Sequence, residues 1–301
     1  MKVVYGHTDS IYIKCDSVEK AKVAIEEIND HVRESFPNVL GLEQHPVVLE
    51  FEKFYSSLGV GTTKNRNVGL VSWLDGVWLD EPKFVMTGFT AKKISETGFA
   101  RDIQSTVLRM WVDQCSFDEI NEYTHQKYST VLKGEIDFES IVKRSRFKEE
   151  RFKVKCSCGK GYSVFDLQKK HKFTQGKRTN FCSKCAAEFT TFTTKEGKKP
   201  VFGAGNSAIL FGVEKLNLPT NIDSYVFIKC KPAGHYTNPL TGKQVEATYV
   251  AGRTFDELRE YSPDWSHYAD QVIKKAEPVY KAMEWDTASI KRKEKKLSDW
   301  W

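Results

Sequence analysis

No stretch of this 301-residue chain is apolar for long enough to span a bilayer, and no signal peptide opens it, since Met1 leads straight into β-prone residues. The expectation is therefore a soluble, cytoplasmic chain with no membrane partner. No internal repeat is found, so a repeat architecture is not expected. A disordered composition is missing too: 40% of the residues are hydrophobic and 13% aromatic, enough to fill a sizeable core in one large or two moderate domains. Excess charge is small, at +6, but unevenly spread. Lys143-Arg144, Arg146, Lys148, Arg151, Lys153 and Lys155 form one basic run, and Lys291-Arg292-Lys293 with Lys295-Lys296 another. Interleaved with Phe147 and Phe152, the first run suits a polyanion or, equally, a solvated face.

Along the chain, Val3-Val4-Tyr5 and Ile11-Tyr12-Ile13 predict a β-hairpin turning through Gly6, Thr8, Asp9 and Ser10. A carboxylate at such a tip, Asp9, is well placed to hold a metal ion; an ordinary hairpin with a solvated Asp in its turn is the plainer alternative. Ser17 can cap a helix with Val18, Ala21, Ile25, Ile28 and Val32 on one face, ended by Pro37. Val47 to Glu52 alternates as a strand, setting Glu50 and Glu52 on one side. A glycine turn at Gly59 to Gly61 leads through Lys64-Asn65-Arg66-Asn67 to a strand over Leu70 to Leu74. Residues Gly98 to about Lys133 read as helix, with Ile103, Val107, Met110 and Trp111 as the core stripe. A cysteine-bearing insertion follows at about 147–200, then further helices and strands to about Trp285, and a charged tail. The fold class expected is α+β.

Cys156-Ser157-Cys158 and Cys182-Ser183-Lys184-Cys185 make CxC and CxxC knuckles separated by 23 residues. Four thiolates at that spacing can close a tetrahedral zinc site of the ribbon type, and Gly159 and Gly161 follow the first pair as tight knuckles require. Free thiols, disulfides or an iron–sulfur cluster are the alternatives; His171 could replace one ligand, but a solvated His among Lys169, Lys170 and Lys172 is the expectation. Cys15, Cys115 and Cys230 are isolated and are expected in the core.

Tyr5-Gly6-His7-Thr8-Asp9-Ser10 resembles the YGDTDS signature of family B DNA polymerases. Leu49-Glu50-Phe51-Glu52-Lys53 resembles the family's LEFEK strand, and Lys64-Asn65-Arg66-Asn67-Val68-Gly69-Leu70 its KKRYAGL loop. Phe84 to Met110, with Gly88, Lys93 and Gln104, is similar to the segment leading into the thumb, and Tyr268, Gln271, Pro278 and Trp285 to the last thumb helix. The resemblance implies the C-terminal part of the palm at 1–97 and a thumb at 98–290 that carries the zinc-ribbon-like insertion. It implies Asp9 as catalytic carboxylate and main Mg2+ ligand, with Glu52 supporting an ion; an ion pair of Glu52 with Lys53 or Lys64 is the plain alternative. It implies Lys64, Asn65, Arg66 and Asn67 as contacts to primer–template DNA, and dNTP as substrate. Tyr5, Gly6, His7, Thr8 and Ser10 complete the signature. His7 stands where the family has an auxiliary carboxylate, and Asn65 and Asn67 replace a lysine and a tyrosine, so metal affinity and duplex grip should both be weaker.

The family's DxxSLYPS and KxxxNSxYG segments, and its proofreading exonuclease carboxylates, do not occur in these residues. A two-metal Mg2+ site would then be shared with a larger family B subunit, as in archaeal polymerases split at about this place, and the assembly would associate with the nucleoid. An expressed fragment is the other explanation. The tail at 291–301 resembles the clamp-binding peptide QxxLxxFF, with Leu297, Trp300 and Trp301 as the plug for a sliding clamp. An inactive polymerase-like subunit, or a nucleic-acid-binding zinc-ribbon protein, are the rival readings.

Overall fold

The computed structural model describes residues 2–7, 10–173 and 180–292. The chain opens with an antiparallel hairpin, β1 (Lys2–His7) and β2 (Ser10–Lys14), followed by helix α1 (Val18–Ser35). Next come β3 (Lys53–Val60), β4 (Asn67–Leu74) and β5 (Val77–Thr87), an antiparallel sheet with β4 in the centre. Helices α2 (Gly98–Val112), α3 (Phe117–Lys133) and the single turn α4 (Phe138–Ile141) follow, then β6 (Lys143–Arg146). The insertion contributes β7 (Lys153–Lys155), β8 (Gly161–Ser163) and α5 (Val164–Phe173). The chain continues with α6 (Ala204–Lys215), β9 (Ser224–Lys229), β10 (His235–Thr237), β11 (Gln244–Glu246), β12 (Tyr249–Gly252) and α7 (Trp265–Ala282). Every strand pairing among the described residues is antiparallel, and helices occur in runs between the sheets, so the architecture agrees with the α+β expectation.

Two compact units are present. The first comprises Met1–Lys92, Ile103–His125 and Ile273–Trp301; the second comprises Lys93–Asp102 and Gln126–Val272. In the first, β4 is buried along nearly its whole length, because both neighbours and both faces cover it. Two glycines let it and β3 pack closely. A Cβ on Gly59 would lie 2.6 Å from the Trp111 ring, and one on Gly69 2.5 Å from the Tyr55 ring. In the second unit the sheet order is β12-β9-β6, and α6 is buried around Ala208 to Gly212.

Three local expectations need revision. Ser17 does cap α1, accepting from the Lys20 amide at 3.2 Å, and Val18 and Ala21 are buried, but Ile25, Ile28 and Val32 are only half-buried. Val47 to Glu52 is not a strand. The Asn29 carboxamide takes both backbone groups of Leu49, at 2.8 Å each, which replaces a ladder partner with a side chain. The helical stretch is broken at Asp113–Ser116, where Gln114 adopts φ +62°. Ser116 and Glu119 form a reciprocal capping box there: the Ser116 amide donates to Glu119 Oε2 at 2.7 Å, and the Glu119 amide to Ser116 Oγ at 3.3 Å. Leu108 and Val112 join Ile103 and Val107 in the core, while Met110 and Trp111 are half-buried.

The insertion has no separate core. Phe152, Val164, Leu167, Phe189 and Phe192 belong to one apolar cluster with Ile209, Leu210, Val226, Ile228 and Val250 of the second unit. Gln168 fastens it further, donating to the Thr237 carbonyl at 2.8 Å.

Candidate functional site

The β1–β2 hairpin is held in place by aromatic contacts. Tyr5 and Tyr12 are cross-strand partners with ring centroids 5.3 Å apart, and Tyr12 sits 6.0 Å from Tyr55 on β3. Burial, with Tyr12 and Glu52 close by, pushes the Tyr55 hydroxyl above its usual range, so Tyr55 stays neutral at physiological pH. The closing pair of the hairpin is His7 with Ser10. Thr8 and Asp9, between them, lie outside the described residues, as does the side chain of His7.

The hairpin reaches the basic loop directly. The Asn65 amide donates to the Tyr5 hydroxyl at 3.0 Å, and that hydroxyl donates to Asn65 Oδ1 at 3.5 Å. Sixty residues of chain separate the two, and no local pattern in the sequence signals the bond. The loop itself turns between β3 and β4, closed by the Gly61 amide on the Arg66 carbonyl at 2.9 Å, with Asn65 in the left-handed region at φ +62°. Asparagine tolerates that conformation, which gives Asn65 a structural role beside any contact to DNA. Lys64 and Asn65 are exposed, Arg66 is half-buried with its guanidinium 6.0 Å from the Phe89 ring centroid, and Asn67 is 5% exposed at the start of β4. Lys64 and Arg66 are thus the members of the loop with a cation to offer a phosphate.

Gly88 is what allows the loop to lie where it does. It has φ +76°, and a Cβ built on it would come within 1.9 Å of the Asn65 carbonyl oxygen. Gly88→Ala is expected to destabilise the protein by about 3 kcal/mol and to displace the loop, because both the backbone and the space forbid a side chain. Chemical denaturation checks the first effect and DNA affinity the second; an unchanged midpoint would show that the loop is mobile enough to give way. Just after Gly88, Thr90 Oγ1 donates to buried Gln104 Oε1 at 2.9 Å, and the Ala91 amide donates to the same oxygen at 2.7 Å. Buried Lys275 donates to that Thr90 hydroxyl at 2.9 Å. Gln104 is therefore a structural clasp. Glu52 is exposed and pairs with Lys53 at 2.5 Å, rather than with Lys64. Glu50 is exposed as well.

The four knuckle cysteines come together as their spacing predicts. Their sulfurs all lie within 4.8 Å of one another, with Cys156 to Cys185 at 3.3 Å and Cys158 to Cys182 at 3.6 Å. A tetrahedral zinc with Zn–S bonds of about 2.3 Å needs sulfurs roughly 3.8 Å apart, so the set fits that ion. The environment favours thiolate at Cys182. Burial pushes its thiol up, but hydrogen bonds from the Tyr162 hydroxyl at 3.2 Å and from the Lys184 and Cys185 amides outweigh it and bring it down to about 5. At Cys185 the Ala187 amide favours the thiolate, but the facing Cys156 sulfur and burial oppose it and push it up to about 12. Four sulfurs this close cannot all ionise unless a cation joins them. Tyr162 is a participant that spacing alone does not reveal. His171 is not a ligand and is not solvated: its Nε2 is 3.0 Å from the Pro239 carbonyl and its ring is half-buried. Of the isolated cysteines, Cys230 is buried, whereas Cys15 and Cys115 are half-buried.

The family model for DNA polymerase family B matches residues 1–179. This chain belongs to DNA polymerase family B. It is 24% identical over 159 residues to DNA polymerase 037L of Invertebrate iridescent virus 6, a stretch that covers 48% of this chain and 12% of the viral protein. No helix among the described residues is long and apolar enough to cross a membrane.

Proposed function

We propose that this chain supplies the motif carrying Asp9, the duplex-contacting loop and the thumb of a DNA-directed DNA polymerase, and that a larger family B subunit supplies the remaining palm and finger motifs. The observation that carries the reading is the bond between Tyr5 and Asn65, which joins the hairpin of the YGDTDS-like signature to the loop of the KKRYAGL-like one. In an active polymerase those two features must meet at the same primer terminus, since nucleotide addition happens where the duplex is gripped. Asp9 and Glu52 would hold Mg2+, their carboxylate oxygens being the hard donors that ion prefers. When bound, the ions supply charge stabilisation to the attacking 3′ oxygen and the triphosphate of the dNTP. Lys64 and Arg66 would hold primer–template phosphates without reading bases, as a copying enzyme requires. Zn2+ on Cys156, Cys158, Cys182 and Cys185 would be structural.

A second reading has one residue in its favour. His7 replaces a carboxylate, as in a polymerase-like subunit without activity of its own. Primer extension decides between them: the chain mixed with a subunit bearing the missing motifs should extend a primer that neither extends alone. Failure of every such pairing, with the complex formed, would leave the inactive reading.

The clamp-binding residues Leu297, Trp300 and Trp301 lie outside the described residues. We propose that they dock on a sliding clamp, where each indole can contribute about 2 kcal/mol before ordering costs. Deleting 297–301 should lower clamp-stimulated processivity and leave short, distributive extension unchanged. Equal loss of both would mean that the tryptophans hold the thumb together instead.

A further inference from the structure

The basic character of this protein resides almost wholly in the insertion. Residues 147–200 hold 14 lysines and arginines against 5 acidic residues, a formal charge of +9, whereas the rest of the chain holds 32 against 35, a charge of −3. Four thiolates around a dication would subtract a net of about two charges and leave the segment strongly cationic. Eleven of these lysines and arginines are exposed. On β7, Lys153 and Lys155 point outward on either side of buried Val154. At the knuckles, Lys160 donates to Ser183 Oγ at 2.7 Å, and the Lys160 and Lys170 ammonium groups both sit over the Tyr162 ring, 5.6 and 5.3 Å from its centroid. Tyr162 in turn bonds Cys182, so the metal cluster and the cations around it are parts of one arrangement.

We propose that the insertion grips the phosphate backbone of double-stranded DNA. The duplex is chosen over a single strand by the aromatic residues. Binding a single strand relies on exposed rings for base stacking. Here Phe152, Phe165, Phe189 and Phe192 are buried, and Phe147 is spent on a stack with Phe152, centroids 5.2 Å apart. What the exposed surface offers is an excess of cations, eleven lysines and arginines against five acidic residues, one of which, Glu149, pairs with Lys153 at 3.1 Å. Such cations neutralise phosphates, release counterions and ignore sequence. The insertion would thus act as a second handhold on DNA, independent of the loop at Lys64 and Arg66. The ring contacts of Lys160 and Lys170 keep two of its cations in place at little entropic cost.

The test measures binding of the full zinc-loaded chain to a short duplex and to the same single strand by fluorescence anisotropy, across a range of salt. A variant with Lys155→Gln, Lys160→Gln and Lys184→Gln should lose about tenfold or more in duplex affinity at physiological salt. Its log–log salt dependence should flatten by about 3, at roughly 0.9 for each phosphate no longer neutralised. Zinc content and unfolding midpoint verify that the variant is folded. Should it fold poorly, Lys195→Gln with Lys198→Gln and Lys199→Gln, on an exposed turn, replaces it with the same expectation. Unchanged duplex affinity and slope would overturn the proposal and direct attention to an acidic protein partner. A loss confined to the single strand would overturn the choice of duplex. Binding requires no catalysis, so either failure leaves the polymerase reading standing.

Discussion

Asp9→Asn should reduce primer extension by this chain combined with the proposed larger subunit by about a thousandfold or more while leaving assembly and duplex binding intact. The substitution keeps the size of the side chain and removes only its charge. A ligand carboxylate at a two-metal centre secures several kcal/mol of transition-state charge stabilisation, and each 1.4 kcal/mol is a factor of about ten in rate. The hairpin itself should persist, since the Tyr5–Tyr12–Tyr55 contacts hold it. His7→Asp, assayed beside it, should hold or raise the rate and lower the Mg2+ requirement, because it returns a negative charge to the position where the family carries one. Single-turnover extension with a Mg2+ titration reads both. If Asp9→Asn retained most of the activity, Asp9 would not be a metal ligand, and the reading built on the signature would fall.

The parts of this molecule that were legible in advance are those with a short-range physical cause. The hairpin follows from two β-prone runs around turn residues, the α1 start from Ser17, and the cysteine cluster from CxC and CxxC spacing. What escaped depends on distant side chains. Val47 to Glu52 alternates as a strand should, yet Asn29, twenty residues earlier, takes the backbone groups of Leu49. Gln114 ended a helix that hydrophobic periodicity carried straight through, because the capping box from Ser116 restarts it. Nothing near Tyr5 announces Asn65, and nothing near Cys182 announces Tyr162. The basic run around Phe147 and Phe152 looked like cations interleaved with rings for a polyanion. Phe152 is buried and Phe147 stacks on it, which left a surface with an excess of cations and no open ring for a base.

Cys182→Ser should release the metal and loosen the whole second unit. Elemental analysis of protein prepared without chelator should give about one zinc per chain for the native sequence and none for the variant. The reason the damage should spread is that the insertion shares its core: Phe152, Phe189 and Phe192 pack in one cluster with Ile209, Val226 and Val250, so a knuckle that opens exposes the wall of a larger core. A lowering of the unfolding midpoint by roughly 10 °C is expected, with the first unit, including the β1–β2 hairpin, retaining its hydrogen-exchange protection. Acid should mimic the substitution. The Cys182 thiol is held down to about 5, below the ordinary thiol value of about 8.5, so its stabilising contribution is complete above the ordinary value and is lost as pH falls towards 5. Protons compete with the metal in the same direction, since only thiolates bind it. Zinc should therefore be held at neutral pH and be released as the medium is acidified. Tyr162→Phe, which removes the hydroxyl from the Cys182 sulfur, should shift that release to higher pH without abolishing binding. Native protein that contains no metal, or a Cys182→Ser protein that unfolds like the native one, would mean that the four sulfurs are packed thiols and the insertion is held by its aromatic core alone.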